Sequence, residues 1–184
     1  MAKSSTHSQR SIIPFNQLSD DQARYHFERA CVSDKWIRLM MAERPFSDVD
    51  SMLAKAEENW LALDKTEWLK AFSGHPEIGD IDSLRTRFAS TSDMTFKEQA
   101  GAQDADDATL LALKQWNARY REKFGFVFLI CARGLSAEFM LAALKERFNH
   151  HLQQELSVAG EEKLKIIKQR LHLAVEQCAK EVNT

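Results

Sequence analysis

A chain of 184 residues that contains only 6 Gly and 3 Pro has few points where regular structure must break. Between those points most apolar residues recur at three- and four-residue spacing instead of alternating, which predicts helices throughout and an all-α fold. Hydrophobic residues make up 44% of the chain and charged residues 28%, enough to close one core and keep its outside wet. The length suits one domain, and we expect a single helical bundle over residues 14–184 preceded by a flexible tail at 1–13.

The expected helices can be placed by their caps. Ser19 followed by Gln22, with Asp20 and Asp21 in the first turn, reads as a capping box. A short helix should run from Asp34 to Met41 and stop before Arg44-Pro45. Ser47 is the expected cap of a longer helix whose Val49, Met52, Leu53, Ala56, Trp60 and Leu63 form a buried stripe. Further helices are expected around Thr66 to Phe72, from near Thr95, through Leu110, Leu113, Tyr120 and Phe124, after a cap at Ser136, and from Glu155 to Val182. The run Phe126-Val127-Phe128-Leu129-Ile130 is apolar throughout, and its spacing leaves strand, extended and helical core segment all open.

Composition also narrows the function. Against 27 Asp and Glu there are 25 Lys and Arg, a formal net charge of −2, so no basic excess stands ready for phosphates and nucleic acid is not an expected partner. Cys31, Cys131 and Cys178 are odd in number, far apart and without a C-x-x-C pair, the pattern of reduced thiols. Residues 1–12 lack the apolar stretch of a secretory signal, the run 126–132 is far too short to span a bilayer, and the last residues carry no peroxisomal tripeptide. A cytoplasmic protein with no membrane partner is the expectation.

The least ordinary stretch is Ser73-Gly74-His75-Pro76-Glu77-Ile78-Gly79-Asp80, where two glycines and a proline interrupt any helix. The proline holds the backbone of His75 extended, so the loop can aim an imidazole, a group that gives or takes a proton near neutral pH. The plainer reading is a solvent-exposed loop histidine, and from this context alone it is the commoner case. Glu98, three residues after Thr95, reads equally as the far half of a capping box or, with Gln99, as a polar wall at a helix start. Arg133, between the apolar run and Gly134, reads as a buried salt-bridge partner or as a two-pronged anchor for a planar carboxylate. His150 and His151 are adjacent, without the i, i+4 spacing of helical metal ligands, and are taken as helix-end residues. No metal site and no phosphate-cradling glycine loop is expected.

His75-Pro76-Glu77-Ile78-Gly79, Glu98-Gln99-Ala100-Gly101 and Phe124-Gly125-Phe126, in that order, resemble the OHCU decarboxylases, which form (S)-allantoin late in urate oxidation from 2-oxo-4-hydroxy-4-carboxy-5-ureidoimidazoline (OHCU). The likeness extends through Phe15-Asn16, Arg44-Pro45-Phe46, Trp68, Ala71-Phe72, Leu84-Arg85, Asn117, Tyr120, Lys123, Ala132-Arg133-Gly134 and the helix around Lys165-Ile166 and Arg170-Leu171, so it covers nearly the whole chain. It implies an all-α homodimer that needs no metal or organic cofactor. The family's catalytic histidine falls on His75, its glutamate on Glu98 and its substrate-holding arginine on Arg133. Pro76, Gln99 and the backbone of Ile130 and Cys131 would line the pocket, and Thr95 stands where the family often has Ser. Glu77 stands where bacterial members commonly have Arg. Two other classes remain as alternatives: a non-catalytic helical interaction module, and a hydrolase or lyase of a related ureido compound.

Overall fold

A computed structural model describes residues 11–75 and 107–182. The described residues form eight α-helices and no strand, and the chain divides into two compact units, one comprising Met1–Leu63 with Ile167–Thr184, the other Asp64–Ile166. Of the expected tail, residues 1–10 lie outside the described residues. Ile12 is already buried, and a short helix α1 (Ile13–Asn16) opens with its proline in the first turn, where a missing N–H costs nothing.

In the first unit α1 is followed by α2 (Asp20–Ala30), α3 (Asp34–Ala42) and α4 (Val49–Leu61). The box at Ser19 forms as expected, its hydroxyl accepting from the Gln22 amide at 3.3 Å and the Gln22 side chain accepting from the Ser19 amide at 3.0 Å. At α4 the cap differs from expectation: Asp48, not Ser47, accepts from the Ser51 amide, at 2.6 Å. The helix begins at Val49, which puts Ser47 one residue too early, and a carboxylate complements the helix's positive end better than a hydroxyl. The core centres on Phe27, whose ring meets Phe15, Trp36 and Phe46 edge-on with centroids 5.6, 6.0 and 6.4 Å away, the favourable geometry for aromatic quadrupoles. Trp36 is fully buried and donates its indole N–H to the Ala56 carbonyl at 3.0 Å. Leu171, Val175 and Cys178 complete the apolar interior of this unit, and Arg170 reaches the Arg29 carbonyl at 3.0 Å.

The second unit contains α5 (Lys65–Ser73), α6 (Asp107–Phe124), α7 (Ala137–Arg147) and the first half of α8 (Leu152–Glu181). Gly125 ends α6 with φ +79°, and its N–H donates to the Arg121 carbonyl at 2.8 Å; a side chain would be strained in that left-handed turn. Ser136 caps α7 by accepting from the Phe139 amide at 3.2 Å. Between them the run Phe126–Ile130 is buried and is neither helix nor strand, so it is core backbone that must find hydrogen-bond partners outside regular structure. Leu164, expected in the buried stripe of the last helix, is only half-buried, whereas its neighbour Lys163 is buried. No described helix is long and apolar enough to cross a membrane.

Candidate active site

His75 follows the C-terminal turn of α5, its backbone N–H donating to the Phe72 carbonyl at 2.9 Å. It is 4% exposed, which overturns the surface-loop reading: a buried imidazole sits where its polar atoms need defined partners. α5 is held in place by its own rings. Phe72 packs on Phe126 with centroids 5.3 Å apart, and the face of Trp68 lies so close to Gly160 of α8 that a Cβ there would come within 2.6 Å of the indole. The glycine is therefore what lets α5 and the first half of α8 approach.

The segment after Phe126 is anchored just as definitely. Arg147, at the end of α7, donates Nη1 to the Leu129 carbonyl at 2.7 Å and stacks its guanidinium over the Phe128 ring at 4.5 Å. The Cys131 amide donates to Glu162 Oε2 of α8, also at 2.7 Å. Through Phe72 and Phe126, Cys131 and Glu162, and Gly160 and Trp68, the helix end that bears His75, the 126–131 backbone and α8 form a closed circuit of contacts. Behind it lies a buried polar cluster. Glu155, with no exposed surface, accepts from Arg147 Nε at 2.9 Å and from the Tyr120 hydroxyl, and its other oxygen meets His150 Nδ1 at 2.7 Å. Burial, and then the bond to Glu155, hold the Tyr120 phenol far above its ordinary pKa, so it serves as a neutral donor.

Of the residues expected at the site, His75 and Ile130 are buried and Cys131 is half-buried. Arg133 is exposed and makes no ion pair among the described residues. This removes the buried salt-bridge reading: the left-handed Gly134, φ +78°, turns the chain where the run leaves the core. Pro76, Thr95, Glu98 and Gln99 lie outside the described residues, as does the expected helix from Thr95. His150 is bound to Glu155, a more specific role than helix-end residue. Among the described residues no three His, Cys, Asp or Glu side chains gather as metal ligands. Arg147, Glu155, Glu162 and Gly160 were not singled out from sequence, since nothing local distinguishes them: Tyr120 and Glu155 are 35 residues apart, Cys131 and Glu162 are 31.

A buried histidine at the end of a helix whose Phe72 ring packs on Phe126 gives an all-α protein a candidate proton-transfer site. The family model for OHCU decarboxylase matches residues 16–172, and the chain belongs to the OHCU decarboxylase family. It is 35% identical over 77% of its length to a uric acid degradation bifunctional protein of Arabidopsis thaliana, of which it spans 44%. It is 26% identical over 85% of its length to a 2-oxo-4-hydroxy-4-carboxy-5-ureidoimidazoline decarboxylase of Haloferax volcanii, of which it spans 90%. Among solved structures, an OHCU decarboxylase crystallised in the presence of (S)-allantoin superposes with a TM-score of 0.66 at 30% identity, covering 84% of this chain and 96% of that one.

Proposed function

We propose that this chain decarboxylates OHCU to (S)-allantoin in urate breakdown, with His75 and Glu98 as the catalytic pair and Pro76, Thr95, Gln99, Ile130, Cys131 and Arg133 holding the substrate. The observation that carries the reading is the burial of His75 at the end of a helix whose Phe72 ring packs on Phe126, in a chain that belongs to this family. The chemistry needs no external electron sink. When the bond between the ring carbon and its carboxylate breaks, carbon dioxide leaves and the bonding pair flows toward the neighbouring ring imine; a proton returned to one face of the former imine carbon then sets the (S) configuration. In this scheme His75 orients the carboxylate or takes the hydroxyl proton. Arg133 stabilises developing negative charge. Glu98 holds the ureido group or assists protonation.

The exposure of Arg133 suits a group that meets an incoming anion before the substrate is enclosed. We further propose that residues 14–184 act as one domain, that the protein works as a homodimer, and that it is cytoplasmic. The test is a circular-dichroism time course at the allantoin band on freshly generated OHCU. Wild type should accelerate (S)-allantoin formation, and His75→Asn should lower turnover by about a hundredfold or more, the usual scale of a lost acid–base group, while its far-ultraviolet spectrum stays unchanged. A His75→Asn protein with near-normal turnover ends the assignment of His75, and wild type that leaves the spontaneous racemic conversion unchanged ends the decarboxylase reading.

A further inference from the structure

Buried backbone outside helices and sheets still has to satisfy every N–H and C=O, and the groups that do so determine where that backbone sits. On either side of Ile130 they are charged. The Leu129 carbonyl accepts from Arg147 Nη1 and the Cys131 amide donates to Glu162 Oε2, each at 2.7 Å, the short, strong class of hydrogen bond. Both anchors are themselves held. Arg147 Nε is fixed by Glu155 at 2.9 Å and Glu162 Oε1 by Lys165 at 2.5 Å. One anchor comes from the end of α7 and the other from α8, so the two peptide groups flanking Ile130 are clamped from two helices.

We propose that Arg147 and Glu162 are positioning residues for the reaction, fixing the Ile130–Cys131 backbone in the orientation that receives the substrate. The inference rests on the reading of Ile130 and Cys131 as pocket wall. Neither side chain need touch the substrate; each acts through a peptide group. A loosened wall weakens substrate binding in ground state and transition state alike, so its signature is a raised KM with little change in kcat.

Glu162 gives the sharper test because its carboxylate lies at the surface edge, 15% exposed, and can be removed without opening the core. Gln at this position can still accept from the Cys131 amide, whereas Ala cannot. Measured by the allantoin dichroism assay, Glu162→Ala should raise the KM for OHCU about tenfold with kcat within about threefold of wild type, and Glu162→Gln should stay within about twofold on both. Arg147→Lys keeps a positive charge against Glu155, but one ammonium cannot reproduce the fork that reaches both Glu155 and Leu129, and it should raise KM similarly. If Arg147→Lys does not fold, the Glu162 pair decides alone. A Glu162→Ala protein with wild-type KM overturns the clamp whatever its melting temperature, and so does a Glu162→Gln protein as impaired as Glu162→Ala, since charge and not the hydrogen bond would then be responsible. In both cases wild type still turns over OHCU and the decarboxylase reading survives. Wild type that fails to turn it over overturns that reading and the clamp together.

Discussion

Glu155 has no exposed surface, and a carboxylate taken out of water survives only if each oxygen is matched by donors. Here one oxygen takes the Tyr120 hydroxyl and two guanidinium N–H groups of Arg147, and the other takes His150. Removing one member leaves the opposite charge buried and uncompensated, which costs more than the pair contributes as a pair. Glu155→Leu should therefore lower unfolding stability by about 3–5 kcal/mol, measured by urea denaturation. Adding Arg147→Met to it should recover part of that loss, because the stranded cation goes too. A single variant within about 1 kcal/mol of wild type would mean that water reaches Arg147 and that the cluster is less dry than its burial indicates.

At the scale of the element, α8 is decided by its one glycine. Gly160 lies in the helix interior, where replacing Gly by Ala ordinarily gains about 1 kcal/mol. Its Cα faces the indole of Trp68, and an added Cβ would come within 2.6 to 3.0 Å of three ring atoms. Trp68 is half-buried, and its rigid ring cannot bend aside as a flexible tail can, so overpacking outweighs propensity: Gly160→Ala should destabilise by about 1–3 kcal/mol, and Trp68→Leu in the same protein should relieve most of the penalty. Thermal unfolding of the four proteins of that cycle checks it, and a Gly160→Ala protein more stable than wild type would show that α5 and α8 separate easily. The caps at Ser19 and Ser136 and the spans of α3 and α5 were legible in the sequence to within a residue, because capping and periodicity are local. By contrast, α1 was not expected, and the last helix begins at Leu152, ahead of the expected Glu155. His75 and the 126–130 run could be marked as unusual from their neighbours alone. Their fixing by Gly160, Glu162 and Arg147 was not legible, since each depends on contact with a segment distant in the chain, and the surface-or-buried choice at His75 and Arg133 turns on packing that no local pattern encodes.

For the molecule as a whole, the first unit draws on both ends of the chain, and His26 marks where they meet. Its ring packs on Phe15 at 5.8 Å, and its Nε2 lies 3.8 Å from Cys178 Sγ, 152 residues away. Burial lowers the His26 pKa from its ordinary 6.5, Arg29 lowers it further, and Glu181 opposes both in part. Burial, followed by the nearby Glu181 charge, raises the Cys178 thiol, so the thiol offers the imidazolium no compensating charge. A folded-state pKa below the unfolded value means that, between the two, the unfolded chain holds a proton the folded chain does not. Stability then rises with pH across that window. The contribution of His26 is accordingly present above pH 6.5 and is lost as the pH falls from 6.5 through the lowered folded value. Urea midpoints taken at intervals below pH 7 should fall for wild type, and His26→Gln, which cannot take the proton, should fall less over the same interval. Parallel curves for the two proteins would show that the ring is hydrated when charged, and that the joining of the chain's two ends does not depend on keeping this imidazole neutral.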